Sequence, residues 1–274
     1  MASKLYRVLV FFTPLLYSIQ TRFLRRSRLG IIVWATEYLI PVLLAIIIIN
    51  YDLVNFIIAF WVIIASYNLY EIGYIQNDCE TIKHENTPTK RLTNEDLVFY
   101  EKNKIFIYVV RIIIETLLSY YLYSKGVSLY NILILWLIIP YYMLYNKLRG
   151  RINLYLILPL TSWRYCFPVL LYGCLIDSTI LWAVIICLFV AYPFPTFIEI
   201  CSDGKGCPPE KWTRIFLKNF NERFTFRIKY YTLMCIVYLV LAIYYVVPYC
   251  ILLIPFYYLM DRIPQLWMKK MEKK

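Results

Sequence analysis

The chain has 274 residues, of which 61% are hydrophobic and 19% aromatic, and its formal net charge is +12. With this apolar content and only seven glycines, the composition argues against an ordinary soluble domain. The basic residues stand in short clusters between long apolar segments, which suits lipid headgroups and membrane topology and argues against nucleic-acid binding. The composition therefore predicts an integral membrane protein in a lipid bilayer.

The first stretch of the chain, about residues 1–30, is predicted to be an N-terminal interfacial segment. Residues 5–20 are apolar but interrupted by Pro14, so we expect them to lie flat in the membrane interface or to insert as a short hairpin. The basic run TRFLRRSRLG follows, where a secretory signal peptide would have a small-residue cleavage site. The segment is therefore expected to stay with the protein.

Further along the chain, eight apolar windows are long enough to cross a bilayer, which takes about 20 helical residues. They lie at roughly 32–49, 53–76, 105–123, 128–146, 152–173, 175–196, 230–247 and 249–262. Pro248 offers a reversal between the last two windows, whose combined length exceeds one span. We therefore expect an all-α integral membrane protein that forms a single domain over residues 1–274.

The charges between these windows predict the orientation of the chain. If the N-terminus is cytoplasmic, nearly all the lysines and arginines fall on that side and the outer turns stay short, as the positive-inside rule requires. The two longest connections, at about 77–103 and 200–228, then both face the cytoplasm. Both begin with carboxylates.

The first long connection opens on a polar cluster within the stretch YIQNDCETIKHENTPTKR. Its amide, acids and last two bases are Asn77, Asp78, Glu80, Glu85, Lys90 and Arg91. Upstream, Asn68, Glu71 and Ile75 share one predicted helix face with Asp78, because the four residues follow a three-four spacing. A charge at the bilayer centre costs at least about 2.5 kcal/mol, so Glu71 is expected to face the bundle interior or a wet cavity.

A second polar cluster, in PFPTFIEICSDGKG, follows the sixth window. Glu199 and Asp203 stand one helical turn apart if the helix continues through them, and Lys205 comes next. Carboxylate oxygens are the ligands that Mg²⁺ prefers, and bound Mg²⁺ often bridges to substrate phosphates. Two acidic clusters with nearby bases would suit a diphosphate substrate. The alternative is that both are solvated loop charges at a membrane surface.

Together the two clusters resemble the motifs of the UbiA superfamily of intramembrane prenyltransferases. The first family motif reads N-D-x-x-D-x-x-x-D after the second helix, and the second, of the D-x-x-x-D type, follows the sixth. The residues that match these motifs are Asn77, Asp78, Glu85, Glu199 and Asp203. The resemblance implies a UbiA-like bundle of about eight to nine transmembrane helices around a central cavity.

The chain also departs from that family pattern. Thr81 stands where the family has the second Asp of its first motif, and Glu80 is the adjacent acid. The ending PTKR, residues 88–91, resembles the H-P-T-K-R of decaprenyl-phosphate phosphoribosyltransferases, although its spacing is one residue shorter and it lacks the His. Aromatic prenyltransferases more often carry R-T-x-x-R-P at this place. The phosphoribosyltransferase branch is therefore the more similar one.

The resemblance implies a Mg²⁺-dependent transferase in a bacterial cytoplasmic membrane. It would move phosphoribosyl from phosphoribosyl pyrophosphate to polyprenyl phosphate in envelope glycan synthesis. The implied catalytic residues and Mg²⁺ ligands are Asp78, Glu85, Glu199 and Asp203, with Asn77 assisting. The implied substrate-binding residues are Asn77, Lys90, Arg91, Lys147, Lys205, Asn68 and Glu71. Two alternatives remain: a prenyltransferase that joins a polyprenyl diphosphate to an aromatic or other polar acceptor, and a non-catalytic lipid-binding or transport protein.

Other charges in the apolar windows are expected to have structural partners. Arg111 and Glu115 are four apart in the third window and are predicted to pair with each other. Glu37 and Arg164 should each find a partner or a polar cavity, and contact of Arg164 with a lipid phosphate is the alternative. The eight cysteines mostly stand in apolar segments and are predicted to be small buried side chains rather than disulfides or metal ligands.

Overall fold

The computed structural model describes residues 2–25, 29–50, 53–84, 89–148, 150–176, 178–204 and 207–271. Within these ranges the secondary structure is helical and contains no strand. The α-helices are α1 (Ala2–Phe12), α2 (Leu16–Ser18), α3 (Gly30–Trp34), α4 (Ile40–Ile49), α5 (Leu53–Cys79), α6 (Asn94–Ser124), α7 (Leu129–Trp136), α8 (Ile138–Lys147), α9 (Arg151–Leu175), α10 (Leu181–Ala191), α11 (Pro193–Asp203), α12 (Arg223–Ile243) and α13 (Leu253–Met271). Short π-helical and 3₁₀ turns connect several of them.

Seven helical runs in the described ranges are long and apolar enough to cross a membrane. They are Gly30–Ile49, Phe56–His84, Asn94–Ser124, Leu129–Lys147, Arg151–Leu175, Leu181–Asp203 and Phe220–Ile243. The last predicted window, 249–262, also becomes helical, mainly in α13, but it is not among the seven. The all-helical membrane character thus agrees with the sequence prediction, whereas the count of eight spans is not confirmed.

The chain divides into two compact units. One consists of Met1–Ala35 and Leu53–Leu148, and the other of Thr36–Asp52 and Arg149–Lys274. Each unit has its own buried apolar residues and its own buried charges. The division into two compact units does not test whether the chain forms a single domain, so that expectation stays a prediction.

In the first unit, α6 begins earlier than the apolar window that starts at 105. Its N-cap is Thr93, whose hydroxyl accepts from the Asp96 backbone N–H, while the Asp96 carboxylate accepts from the Thr93 backbone N–H. This reciprocal pair is a capping box, which satisfies backbone donors that a helix start otherwise leaves without partners. The connection after α5 is therefore shorter than the predicted 77–103, because the helix start is polar and hydropathy does not detect it.

The N-terminal segment breaks near Pro14, as the sequence predicts. α1 ends at Phe12, and α2 starts at Leu16 after Leu15, which has a φ of 71°. A positive φ is costly for a residue with a branched side chain, so the surrounding contacts must hold Leu15 in place. Phe11 and Tyr17, on either side of the break, are buried together in one apolar cluster of the unit. The segment thus folds onto the helices of its unit.

Gly73 of α5 allows the close approach of α8. A Cβ at this position would stand 2.2 Å from Cγ of Tyr142, inside van der Waals contact. The Tyr142 ring is held at the same time by Tyr70, with ring centres 5.0 Å apart. The side-chain amide of Asn146, also on α8, donates to the Gly73 carbonyl over 3.0 Å. The glycine is therefore required for the packing of α5 against α8.

Gly73→Ala is expected to destabilise the protein, although alanine is the better helix former by about 1 kcal/mol. The added methyl must displace a ring that its neighbours hold, and overpacking of this kind costs about 1–3 kcal/mol. Thermal unfolding of the detergent-solubilised protein should show a lower midpoint for the variant. In a Tyr142→Ala background the same substitution should lose its effect, and a fall of equal size there would contradict the explanation.

In the second unit, two charges from apolar windows have partners. Arg262 donates to Glu37 Oε1 over 2.9 Å, and the Tyr192 hydroxyl donates to Oε2 over 3.1 Å. The guanidinium carbon of Arg164 lies 5.2 Å from the centre of the Tyr165 ring, within cation–π range. The expectation that Glu37 and Arg164 find partners inside the protein is therefore confirmed.

The cysteines are free thiols, and the described residues contain no disulfide. Cys187 is buried, as its apolar segment predicts. Cys79 and Cys201 are buried as well, although they stand in the two polar clusters. For Cys174 and Cys250 the prediction of burial is wrong, since both are exposed. Both stand where a helix ends or a turn begins, so less of the protein covers them.

Candidate functional site

The buried carboxylate of Asp78, at the C-terminal end of α5, is the centre of a polar site in the first unit. Its Oδ1 accepts from Arg22 Nη2 over 2.9 Å and from Arg91 Nη1 over 3.0 Å. Its Oδ2 accepts from the Tyr17 hydroxyl over 3.1 Å. Asn77 also donates to Oδ1, over 3.1 Å. We call these five residues the Asp78 cluster.

The break in the N-terminal segment brings two members of the Asp78 cluster into place. Tyr17 lies in α2, and Arg22 lies in the π-helical turn Ile19–Leu24 that follows. Burial and the nearby Asp78 raise the pKa of Tyr17, so its hydroxyl stays protonated and donates. Two arginines face one carboxylate, and the cluster therefore carries an excess of positive charge.

Arg22 has more hydrogen-bond donors than its surroundings accept. Its Nε and Nη1 atoms are buried and have no hydrogen-bond partner among the described residues. Its guanidinium carbon lies 4.2 Å from the centre of the Tyr74 ring, which adds a favourable contact but no oxygen acceptor. A buried donor without a partner costs about 1–3 kcal/mol, so this position favours a ligand with several anionic oxygens.

The other predicted residues of the first motif have different surroundings. Glu80 accepts from the Tyr100 hydroxyl over 2.8 Å and pairs with Lys83 and Lys104, away from the hydrogen bonds of Asp78. Lys90 is exposed. Glu85 lies outside the described residues, so its predicted role as a ligand stays a prediction.

Asn68 and Glu71, predicted to bind substrate, are buried in the first unit. Glu71 accepts from Arg111 Nη1 over 2.7 Å, and from the backbone N–H groups of Leu15 (3.0 Å) and Ser18 (2.6 Å). Asn68 accepts from Arg111 Nη1 over 3.0 Å. The expectation that Glu71 faces the protein interior is confirmed. Both side chains are engaged by the protein itself, so their predicted substrate contacts stay a prediction.

The prediction that Arg111 pairs with Glu115 is wrong. The ion pair of Arg111 is with Glu71, and both side chains are fully buried. Arg111 also donates from Nε to the Phe11 carbonyl over 2.9 Å, next to the interruption between α1 and α2. Glu115 instead accepts from Asn68 over 3.0 Å. Arg111 of α6 thus pairs with Glu71 of α5 and not with Glu115, one turn away on its own helix. The Glu71–Arg111 pair also supplies hydrogen bonds to backbone groups of the N-terminal segment, which need partners when buried.

The second predicted cluster lies in the second unit, on α11. Glu199 accepts two hydrogen bonds from the Arg227 guanidinium, with Nε 2.6 Å from Oε1 and Nη2 2.8 Å from Oε2. Arg227 also donates to the hydroxyls of Thr196 and Tyr231, over 2.9 and 2.7 Å. This bidentate pair holds α12 against α11. Arg227 was not predicted, because its position in the predicted 200–228 connection indicated only the orientation of the chain.

Asp203 is exposed and is the last residue of α11. Gly204 follows with a φ of 76°, the left-handed conformation that commonly ends a helix. The helix therefore does continue through Glu199 and Asp203. Lys205 lies outside the described residues. Lys147, at the end of α8 in the first unit, is exposed.

The described residues do not by themselves fit the Mg²⁺ cage that the resemblance implies. In this part of the chain, no group of three or more His, Cys, Asp or Glu side chains is placed to hold a metal ion. Asp78 and Glu199 are each neutralised by arginine. The two clusters belong to different units. That they share one cavity therefore stays a prediction.

Compared with models of known protein families, with curated proteins and with solved structures, the chain matches none. The resemblance to UbiA transferases consequently rests on the motif residues alone. The geometry of the Asp78 cluster is an independent observation, because Tyr17 and Arg22 are not part of those motifs.

Proposed function

We propose that the protein is an intramembrane transferase of the UbiA type, which binds a diphosphate-activated donor at the Asp78 cluster. The observation that carries the proposal is the buried Arg22 guanidinium, whose Nε and Nη1 have no acceptor among the described residues. Arg91 stands beside it, with 29% of its side chain exposed. The Arg22 and Arg91 guanidinium groups both donate to Asp78 and so lie side by side. Together they offer several N–H donors to the oxygens of a diphosphate, which arginine binds through paired hydrogen bonds.

The donor we propose is phosphoribosyl pyrophosphate and the acceptor is a polyprenyl phosphate, as the PTKR resemblance suggests. In this reaction an acceptor phosphate oxygen forms a bond to the ribose carbon, and the bond from that carbon to diphosphate breaks. Negative charge then develops on the departing diphosphate. Arg22 and Arg91 would stabilise that charge through N–H donors held in place before the reaction, an effect that often contributes several kcal/mol.

Metal and membrane placement are parts of the same proposal. The Mg²⁺ requirement rests on the resemblance alone, which assigns Asn77, Asp78, Glu85, Glu199 and Asp203 to the metal. Bound Mg²⁺ would supply charge neutralisation to the diphosphate. The lysine and arginine asymmetry supports a cytoplasmic N-terminus and cytoplasmic acidic connections. That the membrane is a bacterial cytoplasmic membrane is suggested by the resemblance. The polyprenyl lipid would then reach the site from the bilayer.

Two other functions compete with this one. A prenyltransferase would use the same arginines on the diphosphate of a polyprenyl donor, with an aromatic or other polar acceptor. A non-catalytic lipid-binding or transport role is favoured by the bidentate Glu199–Arg227 pair, since that carboxylate is already satisfied within the second unit. Distinguishing the three requires a direct assay.

Purified protein with labelled phosphoribosyl pyrophosphate, polyprenyl phosphate and Mg²⁺ is expected to yield labelled lipid. The yield should fall at least about a hundredfold in Asp78→Asn, which removes the charge that orders Arg22 and Arg91. Lys218→Gln, an exposed change in the second unit, is the matched control. Turnover of a prenyl diphosphate alone would support the rival enzyme. Turnover of neither donor by folded protein would contradict the transferase proposal.

A further inference from the structure

A groove of about 900 Å³ runs between α1 and the first half of α6 in the first unit. Val8 and Phe12 of α1 form one wall, and Val98, Phe106 and Val110 of α6 form the other. None of these residues belongs to the Asp78 cluster. The groove is therefore a separate feature from the site of the proposed transferase.

Ionic contacts hold the wall that α1 provides. Arg7 donates from Nε to Asp96 over 3.1 Å and also pairs with Glu95. On the inner side of α1, Val10 and Phe11 are buried in the core of the unit. The packing of Val10 and Phe11 therefore keeps α1 against its unit, and with it the wall of the groove.

The polarity of the groove changes along its length. Glu95 and Lys102 stand on the rim near the start of α6, whereas Phe106 and Val110 line the other end. The helix from residue 94 to residue 110 is on the order of 24 Å long, whereas one hydrocarbon leaflet is roughly 15 Å thick. The groove is therefore long enough to reach from the headgroup region into the hydrocarbon. Since α6 is a candidate membrane span that begins at Asn94, the polar end lies where lipid headgroups would be.

Three charged side chains line the groove, Arg7, Glu95 and Lys102, and the two exposed ones have opposite signs. The Glu95 side chain is 75% exposed even though it pairs with Arg7, and Lys102 is exposed as well. An amphiphile that carries a phosphate and an ammonium group at one end and a hydrocarbon chain at the other matches this arrangement in both charge and order.

We propose that the groove binds one zwitterionic aminophospholipid as a resident lipid. Its phosphate contacts Lys102, its ammonium group contacts Glu95, and an acyl chain lies along Phe12, Phe106 and Val110. Phe12 and Phe106 pack directly on each other, with ring centres 5.3 Å apart, and so offer the chain one continuous apolar surface. An acyl chain over these rings covers apolar surface, and Phe106 is 60% exposed without it.

The test uses the full chain in nanodiscs that contain phosphatidylethanolamine with a photoactivatable group on one acyl chain. After irradiation, peptide mapping is expected to place the label in α1 and in the 106–110 part of α6. Lys102→Gln should reduce this labelling about fivefold. Val98→Trp, which fills the groove, should reduce it similarly. Ile105→Trp, on an exposed position of α6 outside the groove lining, is the matched control and should leave it unchanged.

Headgroup selectivity gives the second arm of the test. Phosphatidylglycerol has the phosphate without the ammonium group, so it should label the groove less than phosphatidylethanolamine does. Glu95→Gln should remove that difference. Label spread evenly over all apolar helices, label indifferent to Lys102→Gln and Val98→Trp, or a preference for a photoactivatable polyprenyl phosphate would each overturn the proposal. A crosslink between two copies of the chain at the groove would overturn it too.

Discussion

Arg111→Met is expected to destabilise the protein by about 3–5 kcal/mol, the cost of removing one partner from a buried ion pair. The substitution leaves the Glu71 carboxylate fully buried without its ion-pair partner. It also removes donors from the carbonyls of Phe11 and Thr13, which Arg111 reaches over 2.9 and 3.1 Å. These backbone groups flank the break at Pro14 and would lose partners inside the protein.

Unfolding of the detergent-solubilised protein by denaturant or heat measures this cost. Arg7→Met is the control, because Arg7 likewise pairs with acids of a neighbouring helix, but it is partly exposed and its partner Glu95 is 75% exposed, so we expect a smaller cost of about 1 kcal/mol. If Arg111→Met unfolds at the same midpoint as Arg7→Met, the buried Glu71–Arg111 pair does not stabilise the N-terminal segment.

Much of the helical framework could be predicted from local sequence. Hydropathy places the apolar spans, and the three-four spacing puts Asn68, Glu71 and Asp78 on one face of α5, where all three are buried. Pro14 correctly marks a break, because proline lacks the backbone donor and its ring clashes with the preceding turn of a helix. These features depend on residues that are close in the chain.

The contacts that define the candidate site depend on residues far apart in the chain. Arg22 and Asp78 are separated by 56 positions, and the basic run around Arg22 suggested only topology. For Arg111, the local spacing indicated Glu115, but Glu71, 40 positions away, supplies the ion pair. A single sequence shows which charges in apolar segments need a partner. It does not show which helix supplies that partner, because the partner depends on tertiary packing.

Arg22→Gln is expected to weaken binding of inorganic pyrophosphate and to lower kcat/KM for the diphosphate donor by about a hundredfold. The substitution removes the guanidinium whose Nε and Nη1 are buried without acceptors, and the loss of one such charge-stabilising donor typically costs 10²–10³ in rate. Arg22→Lys should recover only part of the loss, since an ammonium group keeps the charge without the paired geometry. Equilibrium binding of pyrophosphate to the purified protein gives a readout that does not require turnover.

Two comparisons separate a ligand-binding role of Arg22 from a structural one. Arg25→Gln removes an exposed arginine one turn away and should leave pyrophosphate binding unchanged. The double variant Arg22→Gln/Asp78→Asn removes both members of the ion pair, and the charge that loses its partner is Arg91, whose side chain is 29% exposed. If Arg22 only neutralises Asp78, the double variant should recover stability and pyrophosphate binding together. If Arg22 binds the diphosphate, stability should recover while binding stays low, because the donors that the anion needs are absent.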